Sequence, residues 1–278
     1  MQRVTTPDGN QVAVHDLGGT GPTLLLAHAT GFHGHVWEPV ASHLADRFHC
    51  IAFDERGHGD SDPAPGGNYD WHGFATDALA VIDGLDLGPV LGVGHSCGGA
   101  LLLLAEERRP GTFRALWTYE PVMIPGEGLS TLPVQGENPL AAGARKRRPT
   151  FPSKDAAYEN YAGKPPFNVL DHAALRAYVE HGFAAQPDGT VRLKCEPEHE
   201  SRTYEMGMRH DAFDELPKVE CPVTVVCGEV TDAFPEHVIT LVADRLPKGR
   251  TEVMAGLGHF GPLQDPAAVA ASIEAALG

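Results

Sequence analysis

Gly94-His95-Ser96-Cys97-Gly98-Gly99 is the stretch on which the fold turns. Residues 89–94 before it form a short apolar run, and residues 97–109 after it are rich in alanine and leucine and read as a helix. A strand that passes into a helix across one serine must turn so sharply that the serine takes a strained backbone conformation. Small residues are needed at Gly94 and Gly98, because a Cβ there would crowd the neighbouring strand and helix. Such a turn lifts the hydroxyl above a sheet and aims the free N–H groups of a helix N-terminus at developing negative charge. A serine that merely caps a glycine-rich helix start is the competing reading; the strand before it and the helix after it favour a nucleophile.

Working outward, short apolar runs alternate with helical patterns. Residues 11–17 alternate like a strand, whereas 23–28 and 49–54 are continuous apolar runs of the kind buried on both faces of a sheet. Helical spacing marks residues 37–46 and 70–87, and 114–119 read as a further strand. From Pro121 to about 217 the rhythm breaks, with proline and glycine crowding the stretch to Pro166 and helical pieces near 171–183 and 201–213. Strand and helix alternation resumes at residues 222–227, 235–246, 251–254 and 265–277. These runs predict an α/β fold with a mostly parallel central sheet and helices on both faces. Residues 1–120 and 218–278 would build the core, with 121–217 inserted between two of its strands.

The 278 residues carry 21 Lys plus Arg against 37 Asp plus Glu, a formal charge of −16. That balance opposes phosphate backbones and anionic membrane surfaces, so neither nucleic acid nor membrane is an expected partner. No apolar run approaches the roughly 20 residues of a membrane span. The five cysteines are scattered, with no C-x-x-C pair, and the start is polar, which points to a reduced, cytoplasmic protein. Fifteen histidines include no H-E-x-x-H, and the nearest grouping is His33-Gly34-His35, so neither a metal nor another cofactor is expected.

A serine hydroxyl is a weak nucleophile and needs a base, and the base needs an orienting acid. Gly258-His259-Phe260-Gly261 supplies the base, in a loop after the last strand where glycines leave room for His259 to reach back over the sheet. For the acid, Asp232 in Gly228-Glu229-Val230-Thr231-Asp232 is the first choice, because Ser96, Asp232, His259 is the chain order expected of such a triad. Glu229 on the same loop and Glu120 at the end of the 114–119 strand compete with it. The oxyanion donors are expected to be the backbone N–H of Cys97 and that of Thr30, in the loop His28-Ala29-Thr30-Gly31-Phe32.

These pieces, with Trp37 and Asp54-Glu55-Arg56-Gly57-His58-Gly59-Asp60-Ser61, resemble the α/β-hydrolase superfamily, in particular its serine-nucleophile, esterase- and lipase-like members. The resemblance implies the α/β-hydrolase fold, a turn-shaping rather than chemical role for the Asp54–Ser61 segment, and a helical cap at 121–217 that covers the site and selects substrate. Three places depart from the usual pattern: Ala29 follows His28, Thr231 stands where the acid often stands, and Cys97 follows the nucleophile. A Cys97 thiol nucleophile is disfavoured because a helix would aim it away from the histidine.

The activity implied is cofactor-independent hydrolysis of a small-molecule carboxylic ester, lactone or thioester through an acyl-enzyme on Ser96. The same triad also permits C–C bond hydrolysis, perhydrolysis or acyl transfer, and the same fold permits a small-molecule receptor. Aromatic residues of the insertion (Phe151, Tyr158, Tyr161, Phe167, Tyr178, Phe183, Tyr204) are expected to divide between cap core and pocket. The run Arg145-Lys146-Arg147-Arg148 reads as a solvated face, with attraction of an anionic substrate as its alternative.

Overall fold

The computed structural model describes residues 1–124, 138–207 and 209–278. Its elements follow the apolar runs in order: β1 Gln2–Thr5, β2 Gln11–Gly19, β3 Thr23–Ala27, α1 Glu38–Leu44, β4 His49–Phe53, α2 Trp71–Gly84, β5 Val90–His95, α3 Cys97–Arg108 and β6 Phe113–Tyr119. After the insertion come β10 Val223–Gly228, α9 Glu236–Arg245, β11 Gly249–Met254, α10 Gly261–Gln264 and α11 Pro266–Leu277. The eight-stranded sheet runs β1-β2-β4-β3-β5-β6-β10-β11; β1 and β2 pair antiparallel, β2 meets β4 antiparallel, and every later pairing is parallel. Every residue of β5 and β10 is buried, as continuous apolar runs in the middle of a parallel sheet should be.

Two cores flank the sheet. One packs Phe74, Ala78 and Val81 of α2, Leu101 and Leu104 of α3, and Ile239 and Val242 of α9. The other packs Val40 and Leu44 of α1 with Val269 and Ile273 of α11, and continues without a break into Phe151, Tyr178 and Phe183 of the insertion. The insertion therefore does not carry a separate core.

Within it lie α4 Pro139–Arg145, β7 Thr150–Phe151, α5 Lys154–Ala162, α6 His172–Gly182, β8 Phe183–Ala185, β9 Val191–Leu193, α7 Pro197–Met206 and α8 Ala212–Glu215. Side-chain caps explain several starts: Asn138 accepts from Leu140, Ser153 from Ala156, and Asp171 from Ala173 and Ala174. The segment is not purely helical as expected, because β7, β9 and β8 form a small antiparallel sheet. Strands of two or three residues leave too little alternation to be read from sequence. The expected helix at 201–213 is two helices, separated at Gly207, where a Cβ would stand 2.7 Å from the Trp71 ring.

One half-buried acid beside the core gives a pH prediction. Glu107 on α3 has an Oε1 with no hydrogen-bond partner among the described residues, and burial, then the nearby Asp211 charge, pushes its carboxyl up to about 8. A raised folded-state value means that the folded chain holds the proton more tightly than the unfolded chain. The resulting stability is complete below the ordinary Glu range and is lost as pH rises through about 8. Urea midpoints should therefore fall between about pH 5 and 8.5, and the fall should be shallower in Glu107→Gln; identical slopes would show that Glu107 is not the group responsible.

Candidate active site

The carboxyl ends of β3, β5, β6, β10 and β11 lie along one edge of the sheet, and each is followed by a loop that contributes to a shared site. At the end of β5 the chain enters α3 through Ser96, which has φ 54° and ψ −114°, a conformation that a non-glycine residue adopts only under strain. Close packing explains the flanking glycines. A Cβ on Gly94 would lie 2.5 Å from the Gly98 carbonyl oxygen, and one on Gly98 would lie 2.4 Å from that of Ala27. The turn is held by Ser96 N–H donating to the Tyr119 carbonyl at 2.8 Å.

His259 lies in the loop after β11. Its Nδ1–H donates to Glu120 Oε2 at 2.7 Å, which leaves Nε2 as the ring nitrogen able to act toward the cavity that Ser96 and His259 both line. Glu120 follows β6 directly, at φ 44°, and is fully buried. Its other contacts are also donors: Gly228 N–H reaches Oε1 at 3.0 Å and the Thr231 hydroxyl reaches Oε2 at 2.9 Å. Asp232, the acid preferred from chain order, is not brought to His259. It lines the cavity from an exposed position and makes no hydrogen bond among the described residues. Thr231, one place before Asp232, turns its hydroxyl to Glu120 at the end of the neighbouring strand rather than to His259. Glu229 is occupied elsewhere, accepting from Gly256 N–H at 2.9 Å.

Two further residues, not singled out from the sequence, pin the histidine loop. His95 Nε2–H donates to the His259 carbonyl at 2.8 Å, and the Tyr119 hydroxyl donates to the Gly258 carbonyl at 2.7 Å. Burial pushes His95 well below the usual histidine range, so it remains a neutral donor. A Cβ on Gly261 would lie 2.2 Å from the Tyr119 hydroxyl, which accounts for the glycine there.

Thr30 N–H has no protein acceptor among the described residues, and Cys97 N–H is the first amide of α3, a position with no intrahelical partner. Beneath Thr30, His28 accepts from Glu55 N–H through Nε2 at 3.0 Å and donates to the Ala29 carbonyl through Nδ1 at 2.8 Å. Burial brings that ring down to about 3, so it stays neutral in both roles. Asp54 organises the adjoining turn by accepting from Gly34 N–H and Asp60 N–H at 2.7 Å each, and from His15 at 2.9 Å. The Cys97 thiol is fully buried and burial pushes it well above its ordinary value, the reverse of an activated cysteine.

The cavity over Ser96 measures about 390 Å³ and is walled mainly by apolar groups, among them Phe32, Trp71, Val122, Leu140, Phe234 and Phe260. It adjoins a lobe of about 350 Å³ and shares Thr30, Phe32, Leu140, Pro166, Tyr204 and Phe260 with it. Of the seven aromatics named in the insertion, Tyr161, Phe167 and Tyr204 line these spaces, whereas Phe151, Tyr178 and Phe183 belong to the core.

The basic run is not one solvated face. Arg145 pairs with Glu198 and Glu205, and Arg148 lies 4.4 Å above the Phe151 ring. Arg147 is half-buried in the wall of the second lobe, paired with Glu200 and donating to the Tyr161 and Tyr178 hydroxyls.

Similarity to known proteins agrees with this architecture. A 2-(acetamidomethylene)succinate hydrolase of Mesorhizobium japonicum is 30% identical over 244 residues, covering 87% of this chain and 83% of its own. A karrikin insensitive 2 receptor of Petunia hybrida is 24% identical over 264 residues, with 90% and 89% covered. The crystal structure of an E-2-(acetamidomethylene)succinate hydrolase superposes with a TM-score of 0.82 at 24% identity, over 99% of this chain and 98% of the other. The model of the alpha/beta hydrolase family matches residues 24–272. With that match spanning the sheet from β3 to α11, the chain belongs to the alpha/beta hydrolase family.

Proposed function

We propose that this chain is a hydrolase that cleaves a small carboxylic ester, lactone or thioester through an acyl-enzyme on Ser96, with Glu120 rather than Asp232 as the orienting acid. The observation that carries the reading is the 2.7 Å contact between Glu120 and Nδ1 of His259, which fixes the tautomer with Nε2 unprotonated and in the same cavity as Ser96. Ser96 Oγ attacks the carbonyl carbon while Nε2 takes its proton, and the N–H groups of Thr30 and Cys97 receive the oxyanion. The imidazolium protonates the leaving group; the neutral imidazole then takes a proton from the attacking water and passes it to Ser96 Oγ as the acyl–oxygen bond breaks, so that the acyl group departs as an acid. The 121–217 stretch, of which 125–137 and 208 lie outside the described residues, acts as the cap, its Leu140, Pro166 and Tyr204 lining this cavity, and the reaction is completed by these groups and water.

A panel of nitrophenyl esters, lactones and thioesters assayed with the wild type and Ser96→Ala tests this. Turnover by the wild type alone supports the reading, and equal rates in both would end it. The Petunia relative is a receptor by name, so the competing reading is a binding protein with a reactive serine. Labelling of Ser96 by a fluorophosphonate without multiple turnover of any substrate would favour that reading.

Thr30→Ala should change kcat by less than about threefold, because the donor is the backbone N–H, whereas loss of a whole oxyanion donor costs about 10²–10³. A large loss in Thr30→Ala would place the hydroxyl itself in the reaction.

The second lobe favours an acyl group that bears a carboxylate. Arg147 and Lys164 line it against a single acid, Glu200, and the Mesorhizobium relative is named for a succinate. Arg147→Lys loses the planar fork and should raise KM about tenfold or more for a carboxylate-bearing ester, with kcat nearly unchanged and little effect on its methyl-capped analogue. An equal effect on both substrates would make Arg147 purely structural.

A further inference from the structure

Away from the cavity, His35, Glu38 and His181 meet where the insertion packs on the core. His35 lies in the tight turn Gly34–Trp37, Glu38 opens α1, and His181 sits in the last turn of α6. Glu38 Oε1 accepts from His35 Nδ1 at 2.6 Å and lies 3.5 Å from His181 Nε2. The two imidazoles stack with centroids 3.8 Å apart and planes 12° from parallel. One candidate ligand atom from each residue lies within 4.8 Å of the other two, and all three side chains are partly open to solvent.

We propose that His35, Glu38 and His181 bind a divalent transition-metal ion of the zinc class, which ties the insertion to the core. Two imidazoles and one carboxylate are a ligand set for such an ion, with the fourth position left to water. A tetrahedral ion with bonds of about 2.0–2.1 Å needs ligand atoms about 3.3 Å apart. The His181 to Glu38 separation already fits, the His35 to Glu38 contact must open by about 0.7 Å, and the rings must fan out from their stack.

Most other nearby groups are already engaged, although His33 Nδ1 has no partner among the described residues. His15, whose ring is 4.1 Å from that of His35, is bonded to Asp54, and His33 Nε2–H donates to the Tyr178 carbonyl. Glu180 pairs with Lys154, and Lys194 pairs with Asp60. The alternative grouping of His15, Asp54 and Asp60 is consumed by those bonds and by the backbone donors on Asp54. An ion at the trio would hold α6 against the turn that continues from Thr30 to Phe32, where Phe32 packs 5.2 Å from Tyr178.

The test is titration calorimetry with Zn²⁺ on untagged, chelator-stripped full-length protein, repeated with His181→Ala and Glu38→Gln. The expected result is one site with Kd below about 10 µM, weakened at least about thirtyfold in each variant. Zn²⁺ should raise the Tm of the wild type and leave that of the variants unmoved. Metal-free unfolding midpoints of the variants close to wild type would show that both fold normally, and Co²⁺ should give tetrahedral visible bands in the wild type alone. Absence of saturable binding by about 100 µM Zn²⁺, or binding undiminished in both variants, would overturn the assignment.

Discussion

Ser96→Ala should lower kcat by about 10⁴-fold or more while KM and the unfolding midpoint stay near wild type. In the proposed mechanism the hydroxyl oxygen forms the acyl bond, so its removal leaves no group in the cavity to replace it at comparable rate. The adjoining Cys97 thiol is buried and held in its neutral form. Ser96 carries a positive φ, and alanine accepts that conformation no worse than serine does. The backbone turn, Cys97 N–H and Thr30 N–H all survive the change, so residual activity above the uncatalysed rate should remain. Steady-state kinetics on the best substrate of the panel, with a denaturant curve on the same sample, measures both quantities. A loss below tenfold would remove Ser96 from the chemistry.

The second large effect separates two acids. Glu120→Gln should reduce kcat by about 10³–10⁴-fold, because an amide can present its N–H₂ to Nδ1 and stabilise the wrong tautomer, and because the imidazolium then forms without a counter-charge. Asp232→Asn should change kcat by no more than about twofold, since the residue is exposed and bonded to nothing among the described residues. Glu120→Asp is a useful third variant. The shorter side chain must abandon Gly228 N–H, the Thr231 hydroxyl or His259, so an intermediate loss is expected. If Asp232→Asn were the damaging change and Glu120→Gln mild, the acid would be Asp232 and the loop after β10 would have to move in the working enzyme.

Much of the site was open to reading because its signals are local. The strand, serine and helix around Ser96 are contiguous, and Gly94 and Gly98 mark the close approach that the turn requires. The carboxylate that meets His259 was less legible because Glu120 follows one strand, β6, and Thr231 lies in the loop after another, β10. Chain order favours the loop after β10, and only the pairing of β6 with β10 shows that a carboxylate at the end of one strand reaches the place usually served by the other. The departure at Thr231 was the available clue, since a hydroxyl where a carboxylate usually stands invites a search for the missing charge nearby. His95 and Tyr119 gave no such sign; a histidine beside the nucleophile and a tyrosine in a strand both look like ordinary core.

The insertion was the least legible part. Arg147 sits in a run of four basic residues that reads as solvated, yet it is drawn inward because Glu200, Tyr161 and Tyr178, distant in sequence, supply a charge and hydroxyls to meet it. The short strands β7, β8 and β9 pair across gaps that no periodicity reveals.

By itself, then, the order of residues determined the alternation of strands and helices, the serine turn and the histidine loop after the last strand, since these depend on periodicity, sterics and neighbours a few positions away. Tertiary structure alone decided which carboxylate meets His259, which groups partner Arg147 and which histidines come together. Each of these depends on the separation of side chains from different elements, and hydrogen bonds and ion pairs act only at contact.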